Sequence, residues 1–385
     1  MVTVAPAWRY RRDPLGYVEH AVRSQGPLFR LPDDGTLCVA DPDVATRVLR
    51  DEDGCYDQIS DFFHTRGGRL EPRAAQMRVG RAARHLLWTH VTRNGDRLPE
   101  LVAGLGAHSV WPAAGRVVVH RFLAEILLRA DSSPRTREAM AQVVRHNVLI
   151  RSHHRTARIA QRMLRARVVA EVAEEVRIRR GNSETGVPSH DLLDAVIGAV
   201  SPETTETDIA EVYLLLFRTA VAPVGHVVGW TLLLAEAEGV ELAEVSAEWA
   251  VRESLRLWPV AWLFVRPVHR AHDLGGVWVE PGDSVAVCAY LLHRDERYWP
   301  RATRFRPERW ADQPRHGTYV PFGGGPFVCA GASVAQRLAA MVLRSVVDRA
   351  CLSVRGGSGR PGVEGIITPP RFHLHRTPHP ALVTL

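Results

Sequence analysis

Residues 321–333, PFGGGPFVCAGAS, run three consecutive glycines into a lone cysteine, Cys329, and continue directly into the helical pattern ASVAQRLAAMVLRSVV. Glycines such as Gly323, Gly325 and Gly331 let a backbone come close to something flat and bulky without Cβ clashes, and Phe322 opens the loop with an aromatic ring. A cysteine just before a helix meets outward-pointing N–H groups, which favour the thiolate and are expected to lower its pKa. These features describe a thiolate offered to a planar metal cofactor. An isolated cysteine also fits a buried, inert thiol, and the loop alone does not separate the two.

The other four cysteines, Cys38, Cys55, Cys288 and Cys351, are widely spaced and form no CxxC pair. That argues against a disulfide framework and against a zinc site. The N-terminal MVTVAPAWRYRRD lacks an apolar signal segment, and no uninterrupted apolar run reaches the length of a membrane span, so a cytoplasmic protein without a span is expected. The formal charge is +7, and all 49 basic residues are arginine. Such usage fits GC-rich coding bias or a basic face for an acidic partner; no zinc-finger or RNP-type motif supports nucleic-acid binding.

With 385 residues, 46% of them hydrophobic, the chain can bury a large core. Residues 26–40 read as a hairpin turning at Asp33-Asp34-Gly35, and 42–50 as a helix. Residues 51–75 read as a long loop, 76–180 as mostly helical, and 181–190 as a polar connector. Helical patterns follow at about 190–200, 207–236 and 243–258. Strand alternation marks 261–290, a helix 332–349, and short strands the last 35 residues. The expectation is a mainly α chain with small β-sheets, forming one domain over 1–385. Its β-rich part would lie at about 20–60 and 261–290, its helical part at about 76–258, and its cofactor loop at 321–331.

Two further segments decide how the cysteine loop is read. RESLRLWP places Glu253 and Arg256 three apart on one helix face, and FRPERW, 305–310, precedes the loop. FGGGPFVCAG resembles the haem-binding FGxGxxxCxG loop of the cytochrome P450 family. ESLR resembles its ExxR motif, and HRDERYWPRATRFRPERW its approach to the haem. The order and spacing agree, and the resemblance runs from about residue 15 to the end. It implies haem b between the long central helix and the helix after the cysteine loop, with the Cys329 thiolate as axial ligand to the iron. It also implies a structural ion network of Glu253, Arg256 and Arg309, and a pairing of Arg266 with a haem propionate.

The sequence departs from that family in two places. Two residues before the thiolate, where the family has His or Arg, stands Phe327; the earlier propionate pair is not clean in QMRVGRAARH, where Arg78 and Arg81 are candidates. Over the haem, LLLFRTAVAPVGHVVGW puts Ala222 at the family's acid and Pro223 at its threonine, so neither can relay a proton. Pro223 should kink the helix and free the carbonyl of Thr219. Arg218, Thr219 and His226 are the polar residues nearby, and Arg218 is costly if buried, so it should meet an anion, water or substrate.

The resemblance implies an oxidase or monooxygenase of specialised metabolism, of a soluble actinobacterial type, performing hydroxylation or oxidative coupling and cyclisation. A peroxide-driven enzyme and a non-catalytic binding protein are the alternatives. Electrons would come from ferredoxin and ferredoxin reductase, docking near Arg337 and Arg344. The substrate would be a small molecule or peptide contacting Phe62, Phe63, His64, Ala222, Ile367 and Thr368.

Overall fold

The computed structural model describes residues 7–57, 64–65, 68–69, 73–146, 155–181, 189–312, 317–348 and 350–378. The elements that position the site are β1 (Leu28–Arg30), β2 (Leu37–Val39), α1 (Pro42–Arg50), α2 (Arg73–Arg93), β3 (His108–Trp111) and α3 (Ala113–Leu127). They continue with α4 (Arg155–Gly181), α5 (Glu206–Glu238), α6 (Ala247–Leu257), β4 (Leu263–Pro267) and β5 (Ser284–Cys288). The last are α7 (Ala332–Val347), β6 (Ala350–Gly356), β7 (Ile366–Thr368) and β8 (Phe372–Pro378).

The axis of the molecule is α5. Thr205 caps it by accepting from the Asp208 N–H, Glu206 and Asp208 sit in its first turn, and Gly239 ends it in the left-handed region at φ 64°. Its 33 residues extend about 50 Å. By length and composition it could cross a membrane, yet 67% of its apolar window is buried inside the protein. It packs against α3, α4, α6 and α7. Pro223 lies within it, and the helix runs on to Glu238 beyond it.

A four-stranded sheet in the order β1-β2-β5-β4 flanks the helices, with β2 parallel to β5 and the other pairs antiparallel. The register sets Arg266 of β4 opposite Val285. A second sheet in the order β6-β8-β3 joins the chain's end to its middle. The helical and β-rich parts share a core, since Trp230 of α5 packs with Leu15, Trp262 and Ile367.

Most expected elements are present, with three differences. The stretch 76–180 is not continuous helix: β3 interrupts it, because its hydrogen-bond partner β8 lies more than 250 residues away and leaves no local signature. Within 51–75, the residues 64–65 and 68–69 pair as a short hairpin, and α2 begins at Arg73. The helical pattern at 190–200 shortens to Leu192–Ile197.

Candidate cofactor site

The cysteine loop is built by contacts on both sides. Its backbone closes through Gly323 N–H to the Val320 carbonyl at 3.1 Å and Cys329 N–H to the Phe322 carbonyl at 3.1 Å. Gly325 has φ +62°, and a Cβ there would collide with the Leu49 carbonyl oxygen of α1. A Cβ on Gly324 would sit 3.4 Å from the Leu49 side chain. At these two positions the close neighbour on the Cβ side is α1. Gly325→Ala should destabilise by at least about 1–2 kcal/mol from the left-handed backbone alone, with the collision added. A lowered urea midpoint is the check.

Gly331 caps α7, with its backbone beside the Cys329 sulfur. The residue as a whole presents surface, but the sulfur is set among protein atoms. Burial raises the thiol pKa, and the Gly331 N–H opposes this without overcoming it. This corrects the expectation of a lowered value: the sulfur is held as a neutral thiol, and a bound metal cation would be needed to hold the thiolate.

Beside the sulfur, Phe327 takes two arginines. The guanidinium of Arg73, at the start of α2, lies 4.4 Å from its ring centroid, and that of Arg266 lies 4.7 Å away. Arg73 also donates to the Pro326 carbonyl at 3.4 Å, and Arg266 to the Val265 carbonyl at 3.0 Å. Arg78, expected here, instead donates to the Ala199 carbonyl at 2.9 Å. Five positions apart on one helix, the two arginines point about 140° apart, so only one can reach the loop. Arg73 is the residue the sequence reading missed. Its signal was a cation at the first turn of the helix, hidden by placing that helix's start at residue 76.

Below the loop, Glu253 gathers an ion network. Arg256 donates to its two oxygens at 3.0 and 2.7 Å, Arg309 at 2.9 Å, the Arg306 N–H at 3.1 Å and the Trp310 Nε1 at 3.0 Å. The remaining N–H groups of Arg256 reach the carbonyls of His293, Ala302 and Arg304 at 2.7, 2.6 and 3.1 Å. Glu253 and Arg256 are fully buried. The spacing ExxR puts both on one face of α6, and the FRPERW segment wraps that face.

On α5 the polar residues divide. The Gly115 and Gly225 backbones touch where α3 crosses α5. Stepping 100° per residue from Gly225 turns Thr219 and Pro223 away from α3, and Arg218 and Ala222 toward it. The Thr219 hydroxyl donates to the Leu216 carbonyl at 2.9 Å, so it is engaged with its own helix. His226 is 1% exposed and pushed down to about 3 by burial, then by Arg116 and Arg218, so it is neutral. Arg218 is also lowered, first by burial and then by Arg165.

The expected substrate contacts fare unevenly. Phe62 and Phe63 lie outside the described residues, and His64 begins a two-residue strand. Ile367 has no exposed surface and packs in a core cluster, so it is corrected to a core residue. The Thr368 hydroxyl donates to the Gly362 carbonyl at 3.4 Å. Of the docking arginines, Arg344 is paired with Glu248 at 2.9 Å, while Arg337 lies over the Trp88 ring at 5.6 Å.

Residues 247–371, which include α6, the loop and all of α7, match the family described as Cytochrome P450. The whole architecture agrees with solved members. P450BioI, crystallised with an acyl carrier protein bearing hexadec-9Z-enoic acid, superposes with a TM-score of 0.74, at 14% identity, over 96% of this chain and 100% of that one. The chain has the cytochrome P450 fold. A mutant of P450 EryK in complex with erythromycin B gives 0.73 at 17% identity, over 98% and 99% of the two chains. HmtT, involved in himastatin biosynthesis, gives 0.70 at 19% identity, over 96% and 100%. Among curated proteins, cyclooctatin synthase of Streptomyces melanosporofaciens is 39% identical over 101 residues, 25% of this chain and 22% of that protein. Lithocholate 6-beta-hydroxylase of Mesocricetus auratus is 36% identical over 109 residues, 26% and 22% respectively. The chain thus spans about a fifth of the length of the curated relatives it matches.

The residues fit the haem b that a P450 fold implies. The donor is a thiol sulfur beside the Gly331 backbone at the start of α7. Arg73 and Arg266, stacked on Phe327, are two cations suited to the two propionate carboxylates of a haem.

Proposed function

We propose that this P450-fold chain is a haem-thiolate oxidoreductase of specialised metabolism, acting on a small-molecule or peptide substrate with electrons from a ferredoxin system. The observation that carries the reading is Cys329 at the N-terminus of α7, in the loop that follows the segment packed on the Glu253 network. The chain would act as one unit in the cytoplasm. The likeness to HmtT and EryK in shape supports the setting in specialised metabolism.

In this reading Cys329 would bind the iron, Arg73 and Arg266 would hold the propionates, and the haem would lie between α5 and α7. Bound there, haem supplies dioxygen activation and removal of a hydrogen atom or electrons from the substrate. The chain's own part is to exclude water with the apolar face of α5 and to fix the loop through α1 and Glu253. Arg337, stacked over the Trp88 ring, would offer its cation to an acidic partner, while Arg344 would have to leave Glu248 to do so. The reading is tested by reducing the purified red protein under carbon monoxide: a thiolate-type, red-shifted Soret band is expected, and its absence would overturn the reading.

Ala222 and Pro223 carry no exchangeable side-chain proton, so protons would come from water, substrate or a bound acid. Pro223→Thr is then expected to leave product formed per electron unchanged. A roughly tenfold rise in coupled turnover, about 1.4 kcal/mol of barrier, would mean that a threonine relay was simply missing. Peroxide as the oxidant is a second reading, favoured by Arg218, one turn from Ala222 on α5; peroxide alone would then support turnover.

A further inference from the structure

The Arg256 carbonyl lies in the last turn of α6, where carbonyls lack intrahelical partners. It is met by a side chain from far along the chain: Nδ1 of His293 lies 3.0 Å from it. His293 follows the one-turn helix Ala289–Leu292 and has no exposed surface. The tie is reciprocal, since Nη1 of Arg256 donates to the His293 carbonyl at 2.7 Å. On the other side of the ring, the Val320 N–H donates to Nε2 at 2.9 Å. Tyr319 and Trp299 flank the imidazole, with ring centroids 5.6 and 6.5 Å away.

These partners leave His293 one working form. A carbonyl oxygen only accepts, so Nδ1 carries the proton; a backbone N–H only donates, so Nε2 is bare. The neutral imidazole protonated at Nδ1 serves both partners. Val320 is also where the cysteine loop begins to close. Its carbonyl accepts the Gly323 N–H at 3.1 Å, and the carbonyl of that same peptide unit, Phe322, accepts the Cys329 N–H at 3.1 Å. One line of hydrogen bonds thus runs from the end of α6, through the His293 ring, to the backbone of Cys329.

We propose that His293 is a positioning residue for the cofactor loop: its ring is the strut that sets Val320, and through it Cys329, at a fixed place relative to α6. The inference rests on the haem-thiolate reading for what the loop holds, and on the hydrogen bonds alone for how the loop is held. An N–H that loses its acceptor inside a protein is costly, so freeing Val320 should loosen the loop ahead of the helices around it. Tyr319 keeps the segment near α6 meanwhile, because its hydroxyl donates to the Arg252 carbonyl at 3.3 Å.

The test uses the whole chain as purified, with amide hydrogen exchange followed across 318–331 and with α6 and α7 as reference. Substitutions at His293 separate the bond from the bulk. Gln can set an oxygen near the place of Nε2, Asn reaches only as far as Nδ1, and Leu bonds to nothing. Exchange in 318–331 should speed up by about tenfold or more in His293→Asn and His293→Leu, and stay near wild type in His293→Gln. Val320→Pro, which deletes the donor and leaves the ring in place, should loosen the same segment. In the reduced, carbon-monoxide spectrum, the Asn and Leu variants should lose part of the thiolate-type band to shorter wavelength, while Gln keeps it. The proposal is overturned if Asn and Leu exchange as wild type does, if Gln behaves as Leu does, or if α6 and α7 loosen as much as the loop in every variant. A thiolate-type band in wild type with exchange indifferent to His293 removes only the strut. The exchange pattern without that band in wild type removes the haem-thiolate reading and leaves the strut standing.

Discussion

Glu253→Ala is expected to yield little folded protein, and that little poor in haem. The substitution strips Arg256 and Arg309 of the one carboxylate they share, and it leaves the Arg306 N–H and the Trp310 indole without their acceptor. Breaking a buried pair from one side costs about 3–5 kcal/mol, a large part of an ordinary domain's stability. Arg256→Ala should do as much harm by another route, since it uncaps the carbonyls of His293, Ala302 and Arg304 that hold the segment before the loop. Urea unfolding and the haem-to-protein ratio are the measurements. A stable, fully haem-loaded but inactive Glu253→Ala protein would contradict the structural role.

Cys329→Ser should behave in the opposite way. The loop's backbone bonds from Gly323 and Cys329 do not use the sulfur. The far-UV circular dichroism should therefore be unchanged, while the red-shifted Soret band of the reduced, carbon-monoxide state disappears. A serine variant with an unaltered band would remove Cys329 as the axial ligand. Read together, the two substitutions separate a residue that holds the fold from one that holds the cofactor.

Local spacing made part of this legible from the chain. Glu253 and Arg256 lie three apart on one helix, and α1 starts where Asp41 and Pro42 say it should, so their local geometry follows from neighbours in sequence. The mainly α fold with small sheets follows likewise from periodicity and from the loop motif around Cys329. Other features depend on partners far along the chain. β3 exists only because β8 pairs with it. Gly325 is required by Leu49 of α1.

Side-chain direction was the other quantity sequence could not supply. A shift of a few positions on a helix rotates a residue to another face, which is why Arg73 rather than Arg78 reaches Phe327. The same rotation set Ala222 toward α3, where Arg116, just ahead of the run VVVHRFLAEILL, comes against Gly225. The thiol pKa of Cys329 followed from the depth of its sulfur, and burial outweighed the N–H groups that the sequence placed beside it. The chain by itself thus determined most of the helices, the candidate ligand and the ion pair, because these are set by residues within a few positions of each other. Only the tertiary structure decided which arginines meet the loop and the central helix, because burial and charge proximity are properties of packed neighbours.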